Sequence, residues 1–168
     1  MAFLFELAAD CGNSRARALA FGRHFDGLQF ALTDEVSLVC RVNGGDIWQL
    51  NDKSWWCRVV PEGASLTGLA SKVSSPERLV ELARLLYERL RTYNGFSYAR
   101  VGWEVEGSLD EDDWIQIRKD ISSLPPGVVV GKDRWIDLGA PKELQPFGLE
   151  TFWIPLHGSD YQKLVQWL

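Results

Sequence analysis

The sequence predicts an α+β fold, an antiparallel β-sheet with a meander in its N-terminal half and helices packed mainly on one face. Two patterns carry this prediction. Short runs of alternating apolar and polar residues lie between Leu28 and Val60, and a long amphipathic segment follows Pro76. With 168 residues the chain is long enough for one hydrophobic core, so residues 1–168 are predicted to form a single domain.

The first strands can be given a register from their own alternation. The apolar opening run Phe3–Ala9 predicts a strand rather than a secretory signal, because Glu6 interrupts it and no basic residue precedes it. A loop over residues 33–35 then places Phe30 opposite Leu38 on one face of the sheet. This hairpin opens the predicted meander.

A tryptophan row is predicted at the centre of the core. A loop over Asn43–Gly45 sets Cys40 opposite Trp48, and a tight turn at Asn51–Asp52 sets Trp48 opposite Trp55. On this register Cys40, Trp48 and Trp55 form one stripe across neighbouring strands. The stripe is predicted to lie inside the molecule.

The strongest helix signal begins at Pro76. Ser74 and Glu77 have the spacing of a capping box, and the proline stands in the first turn. Apolar residues recur at helical spacing over Leu79–Tyr93, and Asn94–Gly95 ends the pattern. This segment is predicted to be the main helix packed on the sheet.

The second half of the chain predicts shorter elements. Residues 99–105 alternate as a strand with one buried face, and residues 109–122 predict a helix whose first turn is rich in carboxylates. The remaining predictions are strands at 128–130, 135–138 and 151–156, a loop at 144–148, and a closing helix at 160–168 capped by Ser159.

Charge and composition exclude several classes of protein. The net charge is -5, from 23 acidic and 18 basic residues, which disfavours nucleic acid and anionic membrane surfaces as partners. No stretch approaches the roughly 18 apolar residues that a membrane helix requires. The three cysteines, Cys11, Cys40 and Cys57, lack disulfide or CxxC spacing, so the expected location is the cytoplasm.

No complete catalytic or cofactor signature is present. Gly127–Lys132 resembles a phosphate loop but has the wrong glycine spacing and no Ser or Thr after the lysine. His24 and His157 could meet a cysteine in space, although Cys40 and Cys57 are predicted to be apolar core residues. We therefore expect no catalytic residue, cofactor or metal, and a binding protein ranks above an enzyme.

A candidate partner-binding surface comes from the strongest local charge asymmetry. Tyr98 is predicted to lie on the outward side of the adjoining strand, and Trp56 points away from the predicted tryptophan row. Trp56 is either exposed or covered by a helix layer or a subunit. The candidate residues are Tyr98, Glu104, Glu106, Asp110, Glu111, Asp112, Asp113 and Trp56. The carboxylates would dock a basic protein, and the alternatives are a solvated helix start or weak cation binding.

In its acidic charge, aromatic-rich sheet and small self-contained form, the chain resembles bacterial immunity proteins. Those proteins neutralise a cognate toxin by capping it, often with an acidic face opposed to a basic nuclease or effector. The resemblance implies a non-enzymatic inhibitor of a basic toxin. It rests on no shared motif, so it transfers no functional residue.

Two other classes of function stay open. One is a small enzyme or ligand-binding protein with an aromatic-lined pocket between the sheet and the long helix, bordered by Trp48, Trp55 or Trp103. The other is a homo-oligomeric structural component in which a second copy buries Trp56 and Trp167. The oligomeric state does not follow from the sequence.

Overall fold

The computed structural model describes residues 4–64, 73, 75–105 and 109–166. It confirms the predicted α+β class with a mostly antiparallel sheet. The strands are β1 (Phe5–Asp10), β2 (Gln29–Ala31), β3 (Ser37–Arg41), β4 (Ile47–Gln49), β5 (Trp55–Pro61), β6 (Tyr98–Trp103), β7 (Val129–Gly131), β8 (Gln145–Gly148) and β9 (Thr151–Trp153). The α-helices are α1 (Arg15–Phe25), α2 (Pro76–Leu90), α3 (Glu111–Lys119), α4 (Lys132–Asp137) and α5 (Asp160–Val165).

The sheet is built around β1. The described strands follow the order β2-β3-β5-β1-β6-β7-β9-β8, and β4 pairs with β5 beside this path. All residues of β1 are buried, because α1, α2 and α5 cover one face of the sheet and α3 and α4 cover the other. The two longest helices thus share one face, while the second face has a thinner cover.

The larger core lies under α1 and α2. Phe5, Leu7 and Ala9 of β1 face Phe21 of α1 and Leu82 of α2, and none of these side chains is exposed. The helix α1 is absent from the predicted elements. Its N-cap is Ser14, whose hydroxyl accepts a hydrogen bond from the backbone N–H of Arg17 at 3.3 Å.

The main helix agrees with its prediction except at its ends. Ser75 is the N-cap, and its hydroxyl accepts a hydrogen bond from the backbone N–H of Arg78 at 3.3 Å. Ser74 lies outside the described residues. The helix ends at Leu90 rather than at Tyr93, whose ring packs edge-to-face against Phe21 at 5.7 Å between centroids.

The four strands predicted between Leu28 and Val60 exist, but only the first turn has the predicted register. Phe30 pairs with Leu38 as expected. The predicted pairing of β4 with β3 is wrong. Residues 44–46 form a 3-10 helix, and among the described strands β4 pairs with β5. Asp46 stabilises this turn, since its carboxylate accepts from the Asn43 N–H at 2.7 Å and pairs with Arg58 at 2.6 Å.

The third turn is wrong by one residue. Lys53 adopts a left-handed conformation with φ 69°, so the turn has one more residue than predicted and Trp48 pairs with Trp56. Trp55 pairs with Gln49, and its side chain points to the opposite face of the sheet from that of Trp56. The predicted row of Cys40, Trp48 and Trp55 is therefore absent, although Cys40 is fully buried.

Three predictions in the last third of the chain are corrected. The predicted strand at 135–138 belongs to helix α4, which stacks Trp135 on Phe152 at 4.2 Å between ring centroids. The predicted loop at 144–148 contains β8, an edge strand with Pro146 and an irregular register beside it. Ser159 makes no side-chain cap hydrogen bond to α5.

A buried hydroxyl joins three segments of the larger core. Tyr87 of α2 donates a hydrogen bond to the Gly127 carbonyl at 2.7 Å and accepts one from the backbone N–H of Val101 at 3.2 Å. Burial raises the pKa of Tyr87 well above its usual range, so the phenol keeps its proton. The hydroxyl thereby ties α2 to β6 and to the turn before β7.

We expect Tyr87→Phe to lower the free energy of unfolding by about 1–3 kcal/mol, because both buried backbone groups lose their partner. Chemical denaturation followed by circular dichroism measures the change. The matched control is Tyr161→Phe, since the Tyr161 hydroxyl has no hydrogen-bond partner among the described residues. Equal losses in the two variants would contradict a structural role for the Tyr87 hydroxyl.

Candidate functional site

The described carboxylates of the acidic stretch have two different structural roles, one at the end of β6 and one at the start of α3. Glu104 follows β6 and accepts a hydrogen bond from the Leu4 N–H at 2.8 Å, so it closes one end of the β1–β6 pair. The Tyr98 hydroxyl, at the other end of β6, donates to the Leu109 carbonyl at 3.2 Å. An antiparallel strand of this length spans about 17 Å, so Glu104 and Tyr98 lie near opposite ends of β6. Glu106 lies outside the described residues.

The start of α3 is an exposed group of four carboxylates, which we call the α3 acidic cluster: Asp110, Glu111, Asp112 and Asp113. Asp110 and Asp113 form a reciprocal capping box, with N–H to carboxylate distances of 2.9 and 3.0 Å. Glu111 and Asp112 have no such bonds. Two members of the cluster therefore serve the helix, and the other two are free to contact a partner.

The α3 acidic cluster lacks neutralising cations. Among the described residues, no Lys or Arg nitrogen lies within 4.0 Å of its carboxylates. Other surface carboxylates do have such partners, as in the pairs of Glu62 with Arg41 and Asp160 with Lys163. Negative potential is consequently concentrated at this end of α3.

The two aromatic residues of the predicted binding surface are buried. Trp56 and Tyr98 are each only 2% exposed, so the expectation that Tyr98 faces outward is wrong, and Trp56 is covered by its own chain. Tyr98 packs edge-to-face against Trp114 of α3 and against Trp56, with centroid distances of 5.0 and 5.4 Å. Trp48 stacks on Trp56 at the margin. Neither buried residue can serve as an anchor for a partner without unfolding.

An exposed apolar residue lies beside the cluster instead. Ile115 is 36% exposed on α3 and stands one turn after Glu111 and Asp112, so the three residues share a face of the helix. The sequence could have indicated that Ile115 is exposed, because its position lies outside the inward-facing stripe formed by Trp114 and Ile117.

Neither histidine belongs to a candidate metal site among the residues that the structure describes. The described residues contain no group of three His, Cys, Asp or Glu side chains that could hold a metal ion. His157 lies in a turn, where its backbone N–H donates to Asp160 at 3.1 Å. All three cysteines are free and buried. Burial raises the pKa of Cys40 and of Cys57 to about 12, so these thiols stay protonated near neutral pH.

Tryptophan borders one surface groove. Trp103 lines a groove of about 550 Å³ between β6 and α5, together with Arg100 and Lys163. Trp48 and Trp55 do not line this groove. This groove lies beside the last helix, whereas the predicted aromatic pocket was placed between the sheet and the long helix.

A second cleft, which we call the β1-end cleft, was missed by sequence reasoning. It measures about 640 Å³ and lies where β1 ends, between the β1–α1 loop, the segment before β6, and α4. Its lining residues are Gly12, Asn13, Arg17, Asn94, Gly95, Phe96, Ser97, Lys132, Asp133, Arg134, Asp137 and Glu150. These residues come from segments far apart in the chain, so no local motif reveals the cleft.

Asp10 lies at the end of β1 beside this cleft. It is 7% exposed, and its carboxylate accepts a hydrogen bond from the Gly12 N–H at 2.7 Å. Burial raises the pKa of Asp10, while the Gly12 hydrogen bond and the charge of Arg134 act in the opposite direction. The effect of burial is the largest of these, so the pKa of Asp10 lies above its ordinary value.

Comparison with protein families, with characterised proteins and with solved structures finds no match to this chain. None of the helices in the described ranges is long and apolar enough to cross a membrane. Any functional conclusion therefore depends on the geometry of the chain itself.

We expect Trp56→Ala to lower the free energy of unfolding by about 3–5 kcal/mol, the usual loss for a large buried aromatic. Trp48→Ala is the matched control, because Trp48 stacks on Trp56 from a half-buried position and should cost clearly less. Urea denaturation of both variants measures the difference. A loss no larger for Trp56 than for Trp48 would place Trp56 at the surface.

The free energy of unfolding should also depend on the protonation state of His24. Burial, and then the charge of Arg89, lowers the pKa of His24 below its ordinary value of 6.5. The imidazole of His24 therefore binds a proton more readily in the unfolded chain than in the folded one. The contribution of neutral His24 to the free energy of unfolding is fully present above pH 6.5, and it is lost as the pH falls toward the pKa of the folded state.

The measurement compares unfolding free energies of the wild type and His24→Gln across that pH range. Glutamine keeps a group that can hydrogen-bond to Thr92, whose hydroxyl lies 3.0 Å from the His24 ring. The wild type should lose more stability than the variant as the pH falls. Parallel curves would show that His24 does not contribute to the pH dependence.

Proposed function

We propose that this chain is a non-enzymatic protein-binding module that recognises a basic partner through the start of α3. The observation that carries the proposal is the α3 acidic cluster, whose exposed carboxylates have no cationic neighbour within 4.0 Å among the described residues. Carboxylates without a cation on their own chain are the natural complement of a basic surface.

The contact would combine charge with a small apolar centre. Glu111 and Asp112 keep their carboxylates outside the capping box, and Ile115 adds an exposed aliphatic group on the same helix face. Long-range attraction would speed the encounter, while burial of Ile115 would slow dissociation. The packing of α3 supports this role, because the buried side chains of Trp114 and Ile117 hold the helix against the second core.

The same proposal specifies the kind of partner. A small acidic protein that covers a basic nuclease or effector acts as an immunity-type inhibitor, the class that the sequence resembles. Covering the partner requires only surface complementarity, so no catalytic group is needed on this chain. The total charge of -5 supports association with a basic molecule of this kind.

The test is direct binding to each basic protein encoded next to the gene for this chain. Neutralising Glu111 and Asp112 together, as Glu111→Gln with Asp112→Asn, should lower the association rate constant about tenfold at low ionic strength. Surface plasmon resonance measures this rate. The capping residues Asp110 and Asp113 are left intact, so the helix keeps its start.

The matched control is Glu77→Gln with Glu88→Gln, which removes the same charge from exposed positions on α2. This control should reduce the rate much less, because its carboxylates lie outside the proposed contact. Failure of every neighbouring basic protein to bind would refute the inhibitor class. Equal effects of the two double variants would refute the α3 contact.

A further inference from the structure

The β1-end cleft lies at a distinctive place in the sheet. Because β6 is antiparallel to both β1 and β7, the latter two strands run in the same direction and end at the same edge. Each is followed by a helix, α1 or α4, and the segment that leads into β6 lies between them. Side chains from these distant segments consequently meet around one opening.

The guanidinium of Arg134 is held in position at this opening. It lies over the Trp114 ring, with 4.5 Å from its central carbon to the ring centroid. Its Nε and Nη2 atoms each donate to the Ser97 hydroxyl at 3.3 Å. A stacked and hydrogen-bonded guanidinium loses little freedom when it binds a ligand, so Arg134 is preorganised.

Arg134 is half-buried, yet it has no close counterion on this chain. Within the part of the chain that the structure describes, no carboxylate oxygen lies within 4.0 Å of its guanidinium. Asp10 influences Arg134 electrostatically but lies beyond ion-pair distance. Partly buried charges are usually paired, so Arg134, which lines the cleft, can accept an anion from outside as its counterion.

Arg17 supplies a second guanidinium. It is exposed on the first turn of α1, lines the same cleft, and has no ion-pair partner among the described residues. The lysine of the cleft is different, because Lys132 pairs with Glu150. The cleft therefore offers two unpaired arginines and one neutralised lysine.

The acidic residues of the cleft restrict the ligand. Asp133 and Asp137 line it as well, so its charged side chains balance and it offers no excess of positive charge to hold a polyanion. Asn13, Asn94 and these carboxylates offer hydrogen-bond partners for polar groups elsewhere on a ligand. A small polar molecule with a single oxyanion group fits this distribution.

We propose that the β1-end cleft binds the oxyanion group, carboxylate or phosphate, of a small polar ligand between Arg134 and Arg17. The Arg134 guanidinium receives the oxyanion through the N–H groups that Ser97 does not use, and Arg17 completes the contact from the α1 side. This site is separate from the α3 acidic cluster, and its charge preference is opposite.

The test uses inorganic phosphate and acetate as probes of the two oxyanions. Each is titrated into the full chain at constant ionic strength, and the indole N–H signal of Trp114 and the amide signal of Ser97 are followed by NMR. We expect saturable shifts with at least one probe. Arg17→Gln should weaken that apparent affinity about tenfold or more, the effect of losing one charge-assisted hydrogen bond.

Arg23→Gln is the matched control, since Arg23 is also an exposed arginine of α1 but does not line the cleft. It should leave the affinity unchanged. Arg134→Gln is a second variant, expected to abolish binding, and its melting curve shows whether it folds. Arg17→Gln keeps the test decisive if it does not, because Arg17 is exposed.

A response to phosphate alone assigns a phosphorylated ligand, and a response to acetate alone assigns a carboxylate. Absence of a saturable shift with both probes, or equal affinities of Arg17→Gln and Arg23→Gln, would overturn the proposal. The double variant Glu111→Gln with Asp112→Asn should bind the probe as the wild type does. Failure of the partner-binding proposal is thereby distinguished from failure of this one.

Discussion

Burial of β1 on both faces is the constraint on which the rest of the structure depends. A strand paired on both edges and covered on both sides needs two layers of helices, and both cores of the protein include its side chains. It also carries Glu6 and Asp10 into the interior, where solvent cannot reach them easily. The strand thus determines the layering of the fold and places two carboxylates in its interior.

The aromatic side chains of that second face act as a platform for α3. Trp56, Tyr98 and Trp114 contact one another in sequence, so the helix that presents the exposed carboxylates rests on buried rings. The guanidinium of Arg134 also lies over the ring of Trp114. The α3 acidic cluster and the β1-end cleft therefore both depend on the position of Trp114, although they attract opposite charges.

Local patterns predicted much of the fold but little of the site. The strands before Val60 and the helix α2 have clear periods, and they were found. The registers of the second and third turns were not found, because residues 44–46 form a 3-10 helix and a left-handed Lys53 lengthens the following turn. Arg17 and Arg134 are separated by most of the chain, so only the folded sheet brings them to one cleft.

The outermost strands determine how another chain could attach. At one margin β2 is only three residues long, and at the other Pro146 removes an amide donor from β8 where the strand is irregular. Such borders are poor templates for backbone pairing, so they protect the protein from fibrillar self-association. At these two borders, contacts with another chain are accordingly expected to be made by side chains rather than by an added strand.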